Sequence, residues 1–377
     1  MKKGRVALLL FATGLWLSAV IACRASFSPD GSRVLFPFFD PARKQSAIAL
    51  HDLRNGKTEL VFSVSVAGKG DDFILAPQWT SDGRQAIVVS LNDSKRLWVH
   101  LLPLGSGTPS RLFVLDLEKD QTAALLGPPP LVGGRYLFLG GSSVNRLDLE
   151  TGEVIASELG KDIALVGQDE VIYYLKDADK AREVGKLEHE GAWENLRLAP
   201  LVTFGGEKGE LGAFLAVDRE GARFALSEKQ EAGAAVVIAS LRQPERRLSL
   251  GPQAEAGIPG NLLWAPDGRR IFAAYARTTP EKKIEFGACE VALEGGQVRR
   301  MPLFAAAATG NKDIDQALFF FQIALSPDGK TLAASSALLD ELDPADRSLW
   351  LIDVGGAERK VTRVALPSAP RAAEKGK

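Results

Sequence analysis

One short segment recurs along this chain and constrains its fold more than any other feature. Ser26-Phe-Ser-Pro-Asp-Gly-Ser-Arg-Val-Leu-Phe36 is the first copy, and Pro77-Gln-Trp-Thr-Ser-Asp-Gly-Arg-Gln-Ala-Ile-Val-Val89 the second. Leu262-Leu-Trp-Ala-Pro-Asp-Gly-Arg-Arg-Ile-Phe-Ala-Ala274 and Ile323-Ala-Leu-Ser-Pro-Asp-Gly-Lys-Thr-Leu-Ala-Ala334 repeat it near the other end. Each reads as apolar strand, tight turn, polar pair, apolar strand. Proline presets φ for the turn, aspartate bonds its own backbone, and glycine takes positive φ without a Cβ penalty. Asp30, Gly31, Asp82, Gly83, Asp267, Gly268, Asp328 and Gly329 are therefore expected to be structural turn residues.

Three weaker copies fill the middle. Val132-Gly-Gly-Arg-Tyr-Leu-Phe-Leu139 lacks the aspartate, Gly167-Gln-Asp-Glu-Val-Ile-Tyr-Tyr174 is poorer, and Val217-Asp-Arg-Glu-Gly-Ala-Arg-Phe-Ala-Leu226 keeps the glycine. The landmarks fall at Gly31, Gly83, Gly134, about position 169, Gly221, Gly268 and Gly329, a period of roughly 50 residues. A second turn follows each first hairpin, as in Ala49-Leu-His-Asp-Leu-Arg-Asn-Gly-Lys-Thr58 and Asn145-Arg-Leu-Asp-Leu-Glu-Thr-Gly-Glu-Val154. Asn-Gly between alternating strands is a hairpin signal because its positive φ matches strand twist. Two hairpins make a four-stranded meander, which buries both its faces only by stacking copies around an axis. The expected fold is all-β, a single β-propeller of four-stranded antiparallel blades; seven fits the landmarks, with six or eight left open. Two strands, from Arg96 and from Arg111, compete for third place in the second unit. The charged stretch from Asp177 to Leu196 reads as a loop excursion or a helix.

The repeat resembles the WD-repeat-like family whose unit carries Ser-Pro-Asp-Gly, found in TolB-type periplasmic propellers and prolyl oligopeptidase propellers. The resemblance covers nearly the whole chain after the leader and implies envelope company.

The leader carries an address. Met1-Lys-Lys-Gly-Arg5 is basic, Val6 to Ala22 is uncharged and apolar, and Val20-Ile-Ala-Cys23 closes it. That is the layout of a secretory signal. The closing residues resemble the bacterial lipobox, which implies acylation of Cys23, and Arg24 after it implies the outer membrane if the cell is Gram-negative. The expected organisation is a lipoprotein signal peptide over 1–22, a propeller over 23–366 and a flexible tail over 367–377. The expected location is an exported, membrane-anchored lipoprotein on the periplasmic face.

Composition narrows the partners. The chain of 377 residues carries 46 basic and 47 acidic side chains, and three of the basic ones, Lys2, Lys3 and Arg5, lie in the leader. The remainder is net acidic, and its arginine doublets are scattered, so nucleic-acid binding is not expected. The two cysteines, Cys23 and Cys289, make no disulfide framework, and Cys289 reads as a half-buried strand residue.

Catalytic patterns are scarce. His51, His100 and His189 lie far apart and show no zinc spacing. No Gly-x-Ser-x-Gly elbow occurs. Asn311-Lys-Asp-Ile-Asp315 has the alternating oxygens of a calcium loop, but Gln316 stands in place of its glycine. Asp340, Glu341, Asp343 and Asp346 read as a solvated acidic loop. Trp79 and Trp264 fall in equivalent first strands and Trp98 and Trp350 in equivalent third strands, a repetition that packing between blades produces, while Trp193 is out of register. Residues aligned toward a central channel, Phe27, Gln78, Leu263 and Ala324, are mostly apolar. No catalytic, cofactor-binding or metal residue is assigned, and no cofactor is expected. The expectation is a monomeric, non-catalytic, membrane-tethered module with an envelope protein partner. The alternative is a propeller enzyme or small-ligand binder, of carbohydrate for instance, working in the channel.

Overall fold

The computed structural model describes residues 24–40, 45–65, 73–74, 77–92, 96–105, 111–116, 129–141, 143–159, 163–168, 170–178, 181–189, 195–205, 210–212, 214–230, 233–243, 245–252, 258–307, 321–336 and 347–367. They form seven antiparallel blades in a ring, with no helix among them. The blades span 26–65, 73–116, 131–157, 164–205, 210–252, 258–307 and 323–364. In each, four strand positions run outward in chain order. In the second and fifth blades the innermost position is shared by two short segments, Phe73–Ile74 with Gln78–Trp79 and Glu210–Leu211 with Ala216–Val217. The competition in the second blade resolves cleanly, since Arg96–Pro103 is its third strand and Arg111–Asp116 its fourth.

Position in the blade explains composition. A middle strand is covered on both faces by neighbouring blades, so its residues are apolar in succession rather than alternately. Gly233–Ser240, for example, is buried from Gly233 through Ala239. Outer strands meet solvent and alternate, as Val298–Ala307 does. The apolar residues gather into seven clusters among the described residues, one at each junction between consecutive blades.

The Asp-Gly turns line one rim. In the first turn Ser28 Oγ donates to Asp30 Oδ1 at 2.6 Å, and Ser326 with Asp328 repeats the bond at the same length. Ser28 and the Ser32 amide together hold the Asp30 carboxyl far below its ordinary value. Neighbouring turns also touch: a Cβ on Gly329, whose φ is +71°, would stand 2.6 Å from Cδ of Pro266 in the preceding turn. In the fourth blade Glu170 takes the left-handed conformation, φ 66°, that glycine supplies elsewhere. That residue is the turn landmark that the sequence leaves near position 169.

A cross-blade clasp recurs twice. Arg33 Nη2 donates to Gly83 O at 2.8 Å and its guanidinium lies 4.7 Å from the Trp79 ring, while Trp79 Nε1 donates back to Ser26 O at 3.0 Å. Arg223, Gly268, Trp264 and Ala216 repeat this at 2.9, 4.6 and 3.3 Å. Cation–π stacking and the indole N–H thus serve one junction together.

Three expectations are corrected. The stretch after Asp177 is neither loop nor helix: Val171–Ala178, Ala181–His189 and Leu196–Gly205 are long strands of the fourth blade. His189 accordingly ends a strand instead of lying in a loop. Cys289 is fully buried between the fifth and sixth blades. The leader 1–22, Cys23, Trp193, Asn311 to Asp315, the acidic group from Asp340 to Asp346, and the tail beyond Pro367 lie outside the described residues.

The ring closes without a strand exchanged between its ends. The first and seventh blades meet through Phe36, Phe38, Ala333 and Leu349, with Ser335 Oγ donating to Pro37 O at 3.0 Å. Phe36→Ala opens a cavity at that seam and is expected to cost about 3–5 kcal/mol, measured as a fall in the urea midpoint at unchanged m.

Candidate functional site

The inner strands of all seven blades line one central cavity of about 600 Å³. Phe27, Gln78, Leu263 and Ala324 all line it, although Phe27 stands one residue nearer its turn glycine than the other three and it is Ser26 that shares their register. Its wall exposes polar and apolar surface in about equal measure, the apolar part including Leu131, Leu165 and Phe214 from the third, fourth and fifth blades.

Several of its polar side chains are already engaged. A register shift between Pro259 and Leu262 sets Asn261 off the sixth blade's ladder, and its amide then pairs with the seventh blade's backbone. Nδ2 donates to Ile323 O at 2.8 Å and Oδ1 accepts from Ile323 N at 2.9 Å. Ser326 Oγ donates to Asp328 and accepts the Thr331 amide. Glu170 accepts the Gly133 N–H, tying the fourth turn to the third. The Ser26 and Ser81 hydroxyls make no hydrogen bond with the described residues, and two larger donors are not engaged either. Arg24, just before the first inner strand, makes no hydrogen bond or ion pair with the described residues. Gln78 Nε2, on the second blade, is buried with no acceptor. Desolvation lowers the Arg24 pKa to about 10, so the guanidinium remains charged at neutral pH.

The structure does not gather the other marked residues here. His51 Nδ1 lies 2.9 Å from Thr58 Oγ1, and His100 Nε2 lies 3.2 Å from Ser90 Oγ with its ring 4.6 Å from Phe62. Both sit in third strands, away from the channel lining, and burial pushes both pKa values down, that of His100 to about 4. Asp30, Asp82, Asp267 and Asp328 stay in their separate turns, where each accepts a backbone N–H two residues on. No group of three or more potential metal ligands occurs among the described residues.

Sequence reasoning missed a polar device in two blades. Tyr174 Oη donates to Glu183 Oε1 at 2.7 Å beside Lys176, and Tyr275 Oη donates to Glu285 Oε1 at 3.0 Å beside Arg277. In each case the tyrosine faces a glycine across the ladder, Gly185 or Gly287, at a bulge. A Cβ on either glycine would collide with the ring and a backbone carbonyl, so the ring covers the bare backbone. Burial pushes both tyrosine hydroxyls up. Burial also raises the Glu183 carboxyl, but Lys176 and the Tyr174 hydroxyl outweigh it and the net shift is down. The signal was present: Tyr-x-Lys176 and Glu-x-Gly185 match Tyr-x-Arg277 and Glu-x-Gly287.

No family model matches the chain, and no curated protein sequence does. Among solved structures it is similar to TolB from Acinetobacter baumannii, at 18% identity over 73% of this chain and 64% of that one, with a TM-score of 0.47. It is similar to a prolyl endopeptidase at 16% identity over 85% of its length, with a TM-score of 0.51, and spans 47% of that enzyme. Kluyveromyces lactis Hsv2 aligns at 10% identity over 92% of this chain and 99% of that one, with a TM-score of 0.52. At these identities the likeness shows the propeller fold and nothing narrower.

Two outcomes follow from the buried groups. His100 titrates near 4 in the fold, against about 6.5 in the unfolded chain, which therefore takes up the extra proton between those values. Its contribution to stability is whole above about pH 6.5 and is lost as pH falls toward 4, so urea midpoints at neutral and mildly acidic pH should separate less in His100→Gln than in the wild type. Burial pushes the Cys289 thiol up to about 12, and a disulfide reagent at mildly alkaline pH should label it only after denaturation.

Proposed function

We propose that this chain is an exported, acyl-anchored β-propeller of the cell envelope that works without catalysis, as an interaction or scaffolding module for a protein partner. The observation that carries this reading is the chemistry of the channel. Its ionisable side chains, among the described residues, are Arg24 and Glu170. Arg24 precedes the first inner strand and Glu170 follows the fourth, so they stand at opposite ends of the channel and on well-separated blades. Acid–base work by a paired acid and base needs both groups within hydrogen-bond reach of one substrate's reacting atoms. The three histidines lie elsewhere, tied into the blades or at a strand end.

The anchor rests on the leader: basic residues at Lys2, Lys3 and Arg5, the apolar run, and Val20-Ile-Ala-Cys23. A rigid ring held at a membrane by a lipid presents its rims as broad, fixed surfaces, which suits binding.

Metabolic labelling with an alkyne fatty acid tests the anchor, and crosslinking with mass spectrometry in native membranes tests the partner. Label on the wild type but not on Cys23→Ala, with one reproducible envelope protein captured by the wild type and depleted in the variant, is the expected result. Equal labelling of both proteins removes the anchor. Recovery of the uncrosslinked chain alone, at several crosslinker lengths, removes the scaffold.

A further inference from the structure

The channel has a surplus of hydrogen-bond donors at one end. Arg24 and Gln78 are contributed by adjacent blades whose inner strands are tied together by the bond from Trp79 Nε1 to Ser26 O. Neither the Arg24 guanidinium nor Gln78 Nε2 has an acceptor among the described residues. Of the other polar lining groups, Asn261 is committed to the Ile323 backbone, Ser326 to its own turn and Glu170 to the Gly133 amide near the far end, which leaves the neutral hydroxyls of Ser26 and Ser81 and no carboxylate. Arg24 is partly buried with no counter-ion among the described residues, which costs part of its hydration, and a buried amide N–H without an acceptor adds to the cost. An anion supplied from solution would answer the Arg24 guanidinium, which favours a carboxylate, and the Gln78 amide, whose Nε2 is closed to solvent as it stands, would join by turning its side chain toward the channel.

The volume sets the size of that anion. At about 600 Å³ the cavity far exceeds a halide or a phosphate and falls in the range that holds organic ligands, roughly 300–1,000 Å³. Phe27, Leu165, Phe214 and Leu263 give it apolar wall to set against a carbon skeleton. We propose that the channel is a binding site for a small organic carboxylate, its head held by Arg24 and Gln78 and its apolar body lying along the inner strands. This site goes beyond the tethered-module reading and is independent of it, since nothing in it requires an acyl group. The lowered pKa of Arg24 agrees with this, as desolvation alone accounts for the shift.

The test uses the full chain in detergent and two probes of one shape, 4-phenylbutyrate and its neutral amide 4-phenylbutyramide, titrated by calorimetry. Saturable binding of the carboxylate is expected, about tenfold or more tighter than the amide, and weakening as salt is raised. Arg24→Gln should lower carboxylate affinity by about tenfold while leaving the amide unchanged, and Gln78→Leu should weaken the carboxylate by a smaller factor. Because Arg24 makes no bond within the described fold, the ligand-free Arg24→Gln protein should melt at or above the wild-type temperature. Arg54→Gln, at an exposed turn, should bind as the wild type does. The proposal is overturned if no saturable binding occurs at millimolar probe, or if Arg24→Gln holds both probes as the wild type does. Cys23→Ala should bind the carboxylate unchanged, so a failed anchor and a failed channel site give different results.

Discussion

Every blade here is apolar on both of its large faces, and no blade can cover itself. A meander such as 258–307 buries its third strand from Phe286 through Val291, with side chains that point alternately to the fifth and the seventh blades. The requirement propagates around the circle and ends only when the last blade covers the first. The seven apolar clusters are the seven places where it is met. The seam between the first and seventh blades is the one that joins the most distant parts of the chain, with Ser335 and Pro37 bonded across it. Such non-local closure is slow to form, and here it depends on side-chain packing rather than on a shared strand.

The same alternation gives the arginine doublets their use. Arg299 and Arg300 are neighbours on one outer strand, so they point to opposite faces: Arg299 donates to Ala357 O of the seventh blade and Arg300 to Leu250 O of the fifth. Arg270 of the same blade and Arg359 of the seventh both reach Glu290, and Arg247 pairs with the fully buried Glu228 of its own blade. Ion pairs of this kind return little net stability, because desolvation offsets the attraction. The Arg359–Glu290 pair has a larger geometric effect, since it alone of the three crosses between blades and sets the seventh against the sixth. A sequence shows these residues only as scattered charge, because the partner stands on another strand and, for Arg299, Arg300 and Arg359, on another blade.

Legibility followed the range of each interaction. A turn is a local object, and Pro-Asp-Gly announces itself wherever φ must turn positive. The four best turns, the second hairpins and the matched positions of Trp79 and Trp264 were therefore plain. The fourth blade was obscure because Glu170 takes a conformation that sequence assigns to glycine, and its charged strands, stabilised by Lys176–Glu183 and Arg182–Asp177 pairs, looked like a solvated excursion. In the channel, Gln78, Leu263 and Ala324 could be placed by counting five residues back from the turn glycines, a count that gives Ser26 rather than Phe27 in the first blade. Arg24 was hidden by its position beside the leader, which invited a reading as a sorting residue. Its lack of a partner is a property of the whole ring and leaves no trace in spacing.

The weak motifs of the middle blades show which feature of the turn the ring needs. Where Pro-Asp-Gly is intact, the proline of one turn packs on the glycine of the next, as Pro266 does on Gly329 and Pro29 on Gly83. Where it is eroded, other groups make the same step. Ser81 approaches Gly134, the Glu170 carboxylate reaches back to the Gly133 amide, and the Tyr173 hydroxyl fills the space that a side chain on Gly221 would need. The chemistry differs at each station while the contact persists. What the ring demands is that each turn touch the next, and the proline is one of several means of meeting that demand. The sequence can drift in these blades without opening the ring, and the channel walls they carry are free to diverge from the repeat while the scaffold around them stays closed.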